Sequence, residues 1–342
     1  MSRPHHKAAR HLPGGDTVHH YFGLIPGGQA GSFDDDEMTD FLFNPKFYQR
    51  KSHCDVYVID ESSMLSEELW SVLHDIKTMF PDVQFVILGD QAQCPPVPAH
   101  RDSRASFGLR GEETFLDDVQ YVRREMVTEW AVFTEQHRAE CPEQASANLL
   151  ASQGAKVAIN REATIRELLS TKPNVICRKN KTRQRLNRAF ADLHRQQGSF
   201  GMALPPFQVH KYSREKQKDF SYQVGMPVLC IVNEPASQRK IDENVYLPKR
   251  YANNDWGEIV AYDDLKDEVT VLLNEVREIT FSLSDFFRGF VPGFALTVNA
   301  FQGCTLDHNF AIADYDRMEW RYRYTALSRA RRWAQVRLLR ED

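Results

Sequence analysis

Two successive carboxylates, Asp60 and Glu61, close the apolar run Val56 to Ile59. At the end of a strand such a pair has two chemical uses. The aspartate can hold Mg²⁺ through its water shell, and the glutamate can take a proton from a water that attacks a terminal phosphate. Alone the pair says little, because acids at strand ends are usually just solvated. The run Gly89-Asp90-Gln91-Ala92-Gln93 adds weight to it. Its glycine lets the backbone turn at a second strand end, and Gln93, beyond the aspartate, is placed to read a terminal phosphate. Pro95 and Pro96 stiffen the loop that follows. Near the other end of the chain, Arg329 in Ser328-Arg329-Ala330-Arg331 is a candidate for stabilising the charge on a transferred phosphoryl group, an effect of roughly 10³ to 10⁵ in rate. The plainer alternative is an arginine-rich surface helix, which is the better description of Arg332, Arg337 and Arg340. Gln302-Gly303 and Arg138 are uninformative singly. The sequence contains no G-x-x-x-x-G-K-[ST] phosphate loop.

The elements around these residues follow from periodicity and punctuation. Asp55 to Asp60 is a short β-rich run ending in acids, the pattern of a buried parallel strand that opens onto a ligand edge. A helix is predicted from about Ser66, with Leu69, Leu73, Ile76 and Phe80 as its buried stripe and Pro81 as its stop. Val83 to Leu88 repeats the strand pattern, so the segment reads as a βαβ unit. A further strand is expected at Asn174 to Cys177, followed by a basic helix through Arg188. That basic segment, Arg178 to Arg188, could track phosphates or form a solvated helix face. Alternating short strands then appear at Gly225 to Asn233, Asp255 to Tyr262 and Glu268 to Leu273. α/β character returns with Phe294 to Gly303. Trp256, Phe107 and Phe301 could stack on bases, although most aromatics belong to cores.

Bulk properties narrow the class. At 342 residues and 42% hydrophobic content, the chain has material for about two cores. A formal charge of -4 excludes a protein that coats nucleic acid by bulk charge, so any polyanion site must be a local cluster. The six cysteines stand singly, without zinc-ligand spacing, and read as reduced thiols. His5, His6, His19 and His20 also lack ligand spacing. No stretch reads as a signal peptide or a membrane span, so the expectation is a soluble, intracellular protein.

Taken in order, these segments resemble the superfamily 1B DNA helicases of the RecD and petite-integration-frequency (Pif) branch. Ala8 to Gly23 is similar to motif Ia, Val56 to Met64 to motif II, and Gly89 to Val97 to motif III, with Cys94 at a usual leucine. Thr134 to Arg138 resembles motif IV. Gly225 to Asn233 and Asn253 to Val260 resemble the β insertion before motif V, with Asn254 at a usual glycine. Leu296 to Asp307 resembles motif V, with Asn299 and Ala300 where the family carries His-Lys, and Tyr324 to Arg331 resembles motif VI.

The resemblance implies an α/β fold of two RecA-like parallel-sheet domains. Residues 1–150 would form a first, N-terminally truncated domain bearing motifs Ia, II, III and, at its end, IV. Residues 151–342 would form the second, with a β-rich insertion at about 207–287 and motifs V and VI. It implies ATP and Mg²⁺ as cofactors, with Asp60 on Mg²⁺ through water, Glu61 activating water and Gln93 sensing the γ-phosphate. Arg138 and Arg329 would reach the phosphates, and Gly89, Asp90, Gln302 and Gly303 would line the nucleotide. Thr17, His19, Asn253, Thr297 and Asn299 would face DNA. The implied activity is ATP-driven 5′ to 3′ unwinding in replication, repair or recombination, with single-stranded DNA or junctions, and replication or repair proteins, as partners.

Because motif Ia begins almost at Met1, the resemblance points to a partial chain of such a helicase. The alternative is a non-catalytic remnant that binds single-stranded DNA or a replication partner. Losing three charge-assisted bonds from a phosphate loop would weaken ATP by about a thousandfold or more.

Overall fold

The computed structural model describes residues 2–3, 16–18, 55–65, 67–96, 128–129, 131–133, 135–168, 173–205, 220–234, 240–242, 245–246 and 250–340. The chain divides into two compact units, Met1–Glu135 and Gln136–Asp342.

In the first unit, β1 (Ser2–Arg3), β2 (Asp16–Thr17), β3 (Val56–Ile59) and β4 (Gln84–Ile87) form one sheet in the order β2-β1-β3-β4. All of its pairings are parallel. The helix Glu67–Met79 links β3 to β4. It begins one residue after Ser66, which lies outside the described residues. Leu69, Leu73 and Ile76 are buried at 4%, 0% and 0% exposure, as the helical spacing predicts, and Trp70 joins them at 2%. Each such side chain stabilises the unit by about 1.5–3 kcal/mol. Phe80 falls just outside the helix and packs against the same cluster. The Lys77 ammonium closes the helix end, donating to the carbonyls of Pro81 (2.7 Å) and Val83 (2.9 Å).

The second unit contains β5 (Glu162–Ala163), β6 (Val175–Cys177), β7 (Pro227–Cys230), β8 (Lys240–Asp242), β9 (Val245–Tyr246), β10 (Trp256–Asp263), β11 (Glu268–Leu273), β12 (Arg277–Ser282), β13 (Phe290–Pro292), β14 (Ala295–Thr297), β15 (Phe310–Ile312) and β16 (Val336–Leu339). A parallel sheet runs β14-β6-β15-β16-β5, and an antiparallel one runs β12-β11-β10-β7-β13. The strands β12 and β13 are additions to the three that sequence alternation singles out. The basic helix spans Asn180–Gln197, well past Arg188. Its buried Asn187 joins the two sheets: the amide donates to the carbonyls of Pro292 (2.8 Å) and Ala295 (3.1 Å) and accepts from the Ala295 N–H (2.7 Å).

Two local features have backbone causes. Asn254, at a usual glycine, sits at φ 70°, a left-handed conformation that asparagine tolerates better than most side chains. Gly257 cannot be replaced cheaply, because a Cβ there would lie 2.6 Å from the Leu272 carbonyl oxygen across the ladder.

One expectation fails. Arg337 lies within the strand β16 and Arg340 just after it, while Arg332 caps the 3-10 turn Trp333–Gln335, so these arginines form no surface helix. The segment is recruited as a strand because Val336, Arg337 and Leu338 pair in parallel with Phe310, Ala311 and Ile312. Phe301 is likewise a core residue at 2% exposure rather than a platform for bases. Phe107 lies outside the described residues.

His194, in the last turn of the Asn180–Gln197 helix, is 4% exposed and stacks on Phe200 at 4.1 Å and Phe294 at 5.2 Å between ring centroids. Neither ring nitrogen has a hydrogen-bond partner among the described residues. Burial lowers the imidazole pKa, because the charged form loses its hydration. The unfolded chain therefore takes up the proton first, and stability falls as pH drops below about 6.5, the free imidazole value, until the folded-state pKa is passed. His194→Phe should flatten that decline while leaving stability near pH 8 within about 1 kcal/mol. Urea midpoints at a series of pH values check it; an equal decline in both proteins would exclude His194 as the cause.

Candidate active site

The first cluster is built by the parallel register of β3 and β4. Ile59 pairs with Ile87, so Asp60 and Leu88 leave the sheet side by side. The Leu88 N–H donates to the Ile59 carbonyl (2.7 Å), and the Ser62 N–H donates to the Leu88 carbonyl (3.0 Å). These two bonds fix the acidic pair against Gly89. The Asp60 carboxylate accepts from the Glu61 N–H at 2.7 Å. Glu61 itself is left-handed, at φ 56° and ψ 43°, and opens the 3-10 turn Ser62–Met64. A non-glycine residue held there costs about 1–2 kcal/mol, and strain of this kind clusters at functional sites.

Asp90 organises the second loop. One of its oxygens accepts from the Ala92 N–H (3.0 Å) and the other from the Gln93 side-chain amide (3.4 Å). The Gln93 amide oxygen is buried and accepts no hydrogen bond among the described residues. Asp60, Glu61, Gly89, Asp90 and Gln93 thus share one edge of one sheet. Their carboxylates supply the hard oxygen donors that suit Mg²⁺. Thr17, in β2 of the same sheet, precedes the fully buried Val18. His19 lies outside the described residues.

The second cluster belongs to the second unit and surrounds the turn after the helix Trp320–Leu327. Arg329 is 1% exposed. Its guanidinium donates to the carbonyls of Thr325 (2.9 Å), Cys304 (3.1 Å) and Phe301 (3.5 Å) and to the Ser328 hydroxyl (2.8 Å). It therefore ties the helix end to the loop that holds Gln302 and Gly303. Arg138 donates to the Ser328 carbonyl at 3.0 Å from the other side. Gln302 is 3% exposed, and neither its amide oxygen nor its nitrogen has a partner among the described residues. Gly303 adopts φ 75°.

Several residues in this cluster escape sequence reading. Gln144, wholly buried, donates to the Leu327 carbonyl (2.9 Å) and to Asn148 (2.8 Å). Its helix, Pro142–Ser152, buries Gln144 and Asn148 and exposes Leu149 and Leu150, so hydrophobic periodicity points to the wrong face. Arg331 bridges Asp307 and Glu140, and Arg332 bonds Glu140 as well. With Gln335 these residues line a cleft of about 410 Å³.

The DNA candidates are spread out. Thr297 ends β14, and its hydroxyl accepts from the Ala300 N–H at 3.4 Å. The Asn299 side-chain nitrogen is buried without a partner among the described residues. Asn253 is exposed on the turn before β10, its N–H donating to Asn233 (3.1 Å). It belongs to the approach to the antiparallel sheet, whereas Thr297 belongs to the parallel one.

No protein-family model matches the chain. No curated protein matches it either. Solved structures do. One is a Pif1 helicase from work on unwinding of forked double-stranded DNA by two coordinating Pif1 helicases; it has 20% identity and a TM-score of 0.65 over 99% of this chain and 80% of that one. The Pif1 helicase of Candida albicans has 18% identity and a TM-score of 0.63, covering 100% and 84%. Pif1 from Bacteroides, solved with ADP-AlF3 and ssDNA, has 17% identity and a TM-score of 0.64, covering 99% and 82%. The chain has the Pif1 helicase fold. The two-domain RecA-like, mixed α/β architecture implied by the motifs is thus the architecture observed.

Within this Pif1 fold, the turn after the acidic pair lies close against Gly89. A Cβ there would lie 2.2 Å from the Ser62 hydroxyl oxygen and 2.8 Å from the Ser62 backbone nitrogen. The hydroxyl can rotate away, but the backbone cannot without breaking the bond to Leu88. Gly89→Ala is expected to destabilise the first unit by about 1–3 kcal/mol. A urea unfolding curve with an unchanged midpoint would show that the two strand ends can part freely.

Proposed function

We propose that this chain serves as an ATP-dependent DNA helicase that moves 5′ to 3′ on single-stranded DNA. The observation that carries the reading is the shared sheet edge of Asp60, Glu61, Gly89, Asp90 and Gln93, where a buried amide oxygen on Gln93 accepts no bond among the described residues. The fold adds support, since the Bacteroides Pif1 of that fold was solved with ADP-AlF3 and ssDNA.

In this reading Asp60 holds Mg²⁺ through water and Glu61 takes the proton of the attacking water. Gln93 reads the γ-phosphate, with Gly89 and Asp90 shaping the loop beneath it. Bound Mg²⁺ neutralises charge that develops on the phosphoryl oxygens. Glu61 carries the left-handed backbone that ends the strand course at this edge. Arg138 and Arg329 are the candidates for positive charge on the phosphates, and Gln302 and Gly303 for contacts with the nucleotide. Thr17, His19, Asn253, Thr297 and Asn299 contact DNA. Roles in replication, repair or recombination belong to the same proposal.

A second reading, a non-catalytic protein that binds single-stranded DNA or a replication partner, has one observation in its favour. The Arg329 guanidinium is spent on carbonyls and a hydroxyl of its own unit, and freeing it for phosphate would break several charge-assisted bonds. ATP hydrolysis separates the two. Joined to an upstream segment bearing G-x-x-x-x-G-K-[ST], the motor should hydrolyse ATP faster when single-stranded DNA is added. Glu61→Gln should then abolish turnover while ATP binding persists. Unchanged turnover in that variant would remove Glu61 from the mechanism. Salt-sensitive DNA binding indifferent to ATP, with no hydrolysis, would support the second reading.

A further inference from the structure

The turn that carries Arg329 is gripped on both sides by the opening segment of the second unit. Arg138 donates to the Ser328 carbonyl (3.0 Å), and the wholly buried Gln144 donates to the Leu327 carbonyl (2.9 Å). Beyond Arg329, the Arg331 carbonyl accepts from the Glu140 N–H (2.8 Å). All three bonds fall on the backbone within two residues of Arg329, so together they fix where its side chain begins. Gln144 also ends a chain of amides. Gln136 accepts from the Asn148 side-chain nitrogen (3.2 Å), Asn148 accepts from Gln144 (2.8 Å), and Gln144 reaches the helix end at Leu327. As packing, this glutamine is a poor choice. Its amide oxygen is buried without a partner among the described residues, a cost that an apolar side chain of the same size does not carry. The Leu327 carbonyl has a second donor in the Ala330 N–H (3.2 Å), so it is not orphaned when the glutamine is lost. The amide adds direction to the turn rather than stability.

We propose that Gln144 is a positioning residue, holding the end of the helix Trp320–Leu327 so that the Arg329 guanidinium keeps one aim. This role rests on the helicase reading above, in which Arg329 is a candidate for contact with the transferred phosphate, and adds a residue that acts only through that arginine. The guanidinium is placed by the Thr325, Cys304 and Phe301 carbonyls, and it meets them only while the turn keeps its height above the Phe301 to Cys304 loop. A shift of about 1 Å in a positioned group can cost about a hundredfold in rate. Loss of one neutral hydrogen bond, with another donor already on the same carbonyl, changes stability far less. Activity and stability therefore separate at this side chain.

The test is ATP turnover stimulated by single-stranded DNA, in the assay used for Glu61→Gln, read beside urea unfolding. Gln144→Met keeps the length of the side chain and removes its donor. It should lower kcat about tenfold or more, leave the KM for ATP unchanged and keep the urea midpoint near that of the unaltered protein. In an Arg329→Lys background the same substitution should cost no further activity, because a residue that acts through Arg329 has nothing left to aim. Gln144→Glu covers the case in which Arg329→Lys does not fold. Its carboxyl, pushed toward the neutral form by burial, can donate to the Leu327 carbonyl while protonated and loses that donor on ionising. Its turnover relative to the unaltered protein should therefore rise as pH falls, and that of Gln144→Met should not. Unchanged turnover in Gln144→Met, equal losses in both backgrounds, or a kcat that falls only in step with the urea midpoint would overturn the positioning role and leave the helicase reading standing. No hydrolysis by the unaltered protein would overturn that reading, and the role of Gln144 with it.

Discussion

A parallel ladder delivers successive strands to one edge of a sheet, so residues far apart in sequence leave it as neighbours. In the first unit, this constraint sets the geometry of the candidate site. The β3–β4 register places Asp60 beside Leu88, and the two backbone bonds between Ile59, Leu88 and Ser62 lock the acidic pair against Gly89. The left-handed Glu61 and the Asp90-ordered loop follow from that closeness. In the second unit, the β14–β6 register does the same for Thr297 and the start of the basic helix.

The motif VI turn depends on a different balance. A guanidinium taken out of water must be repaid in hydrogen bonds, and Arg329 is repaid by three carbonyls and a hydroxyl. Breaking one side of such an arrangement leaves an uncompensated buried charge. The turn is held from outside as well, by Arg138 on the Ser328 carbonyl and Gln144 on the Leu327 carbonyl. The exposed ion pairs of Arg331 and Arg332 with Glu140 and Asp307 add less, because water screens them. Arg329 is thus a strut between the Phe301 to Cys304 loop and the helix end. Any role on phosphate asks it to exchange those partners.

Much of this was legible in the residues. The stripe of Leu69, Leu73 and Ile76, the strands at Val56 to Ile59 and Gln84 to Ile87, and the acids that end the first of them are local patterns with local causes. The alternation of β10 and β11 is equally plain, since one face of each is buried. The helix Pro142–Ser152 was not legible, because its inward residues are Gln144 and Asn148. Their burial is offset by partners nearly two hundred positions away or on the preceding loop. The Arg337 segment misleads for a related reason: its strand exists through pairing with Phe310 to Ile312.

By itself, then, the sequence determined which chemistry was available: the order and type of the acids, amides and arginines, and the apolar periods that place them on strand ends and turns. Those are properties of neighbouring residues and survive in one dimension. Only the tertiary structure decided that Arg329 is sunk into its own unit, that the Gln93 amide oxygen and the whole Gln302 amide are buried without partners among the described residues, and that Thr297 stands beside Cys177. Burial, desolvation and strand register arise from contacts between segments distant along the chain, and no local pattern encodes them.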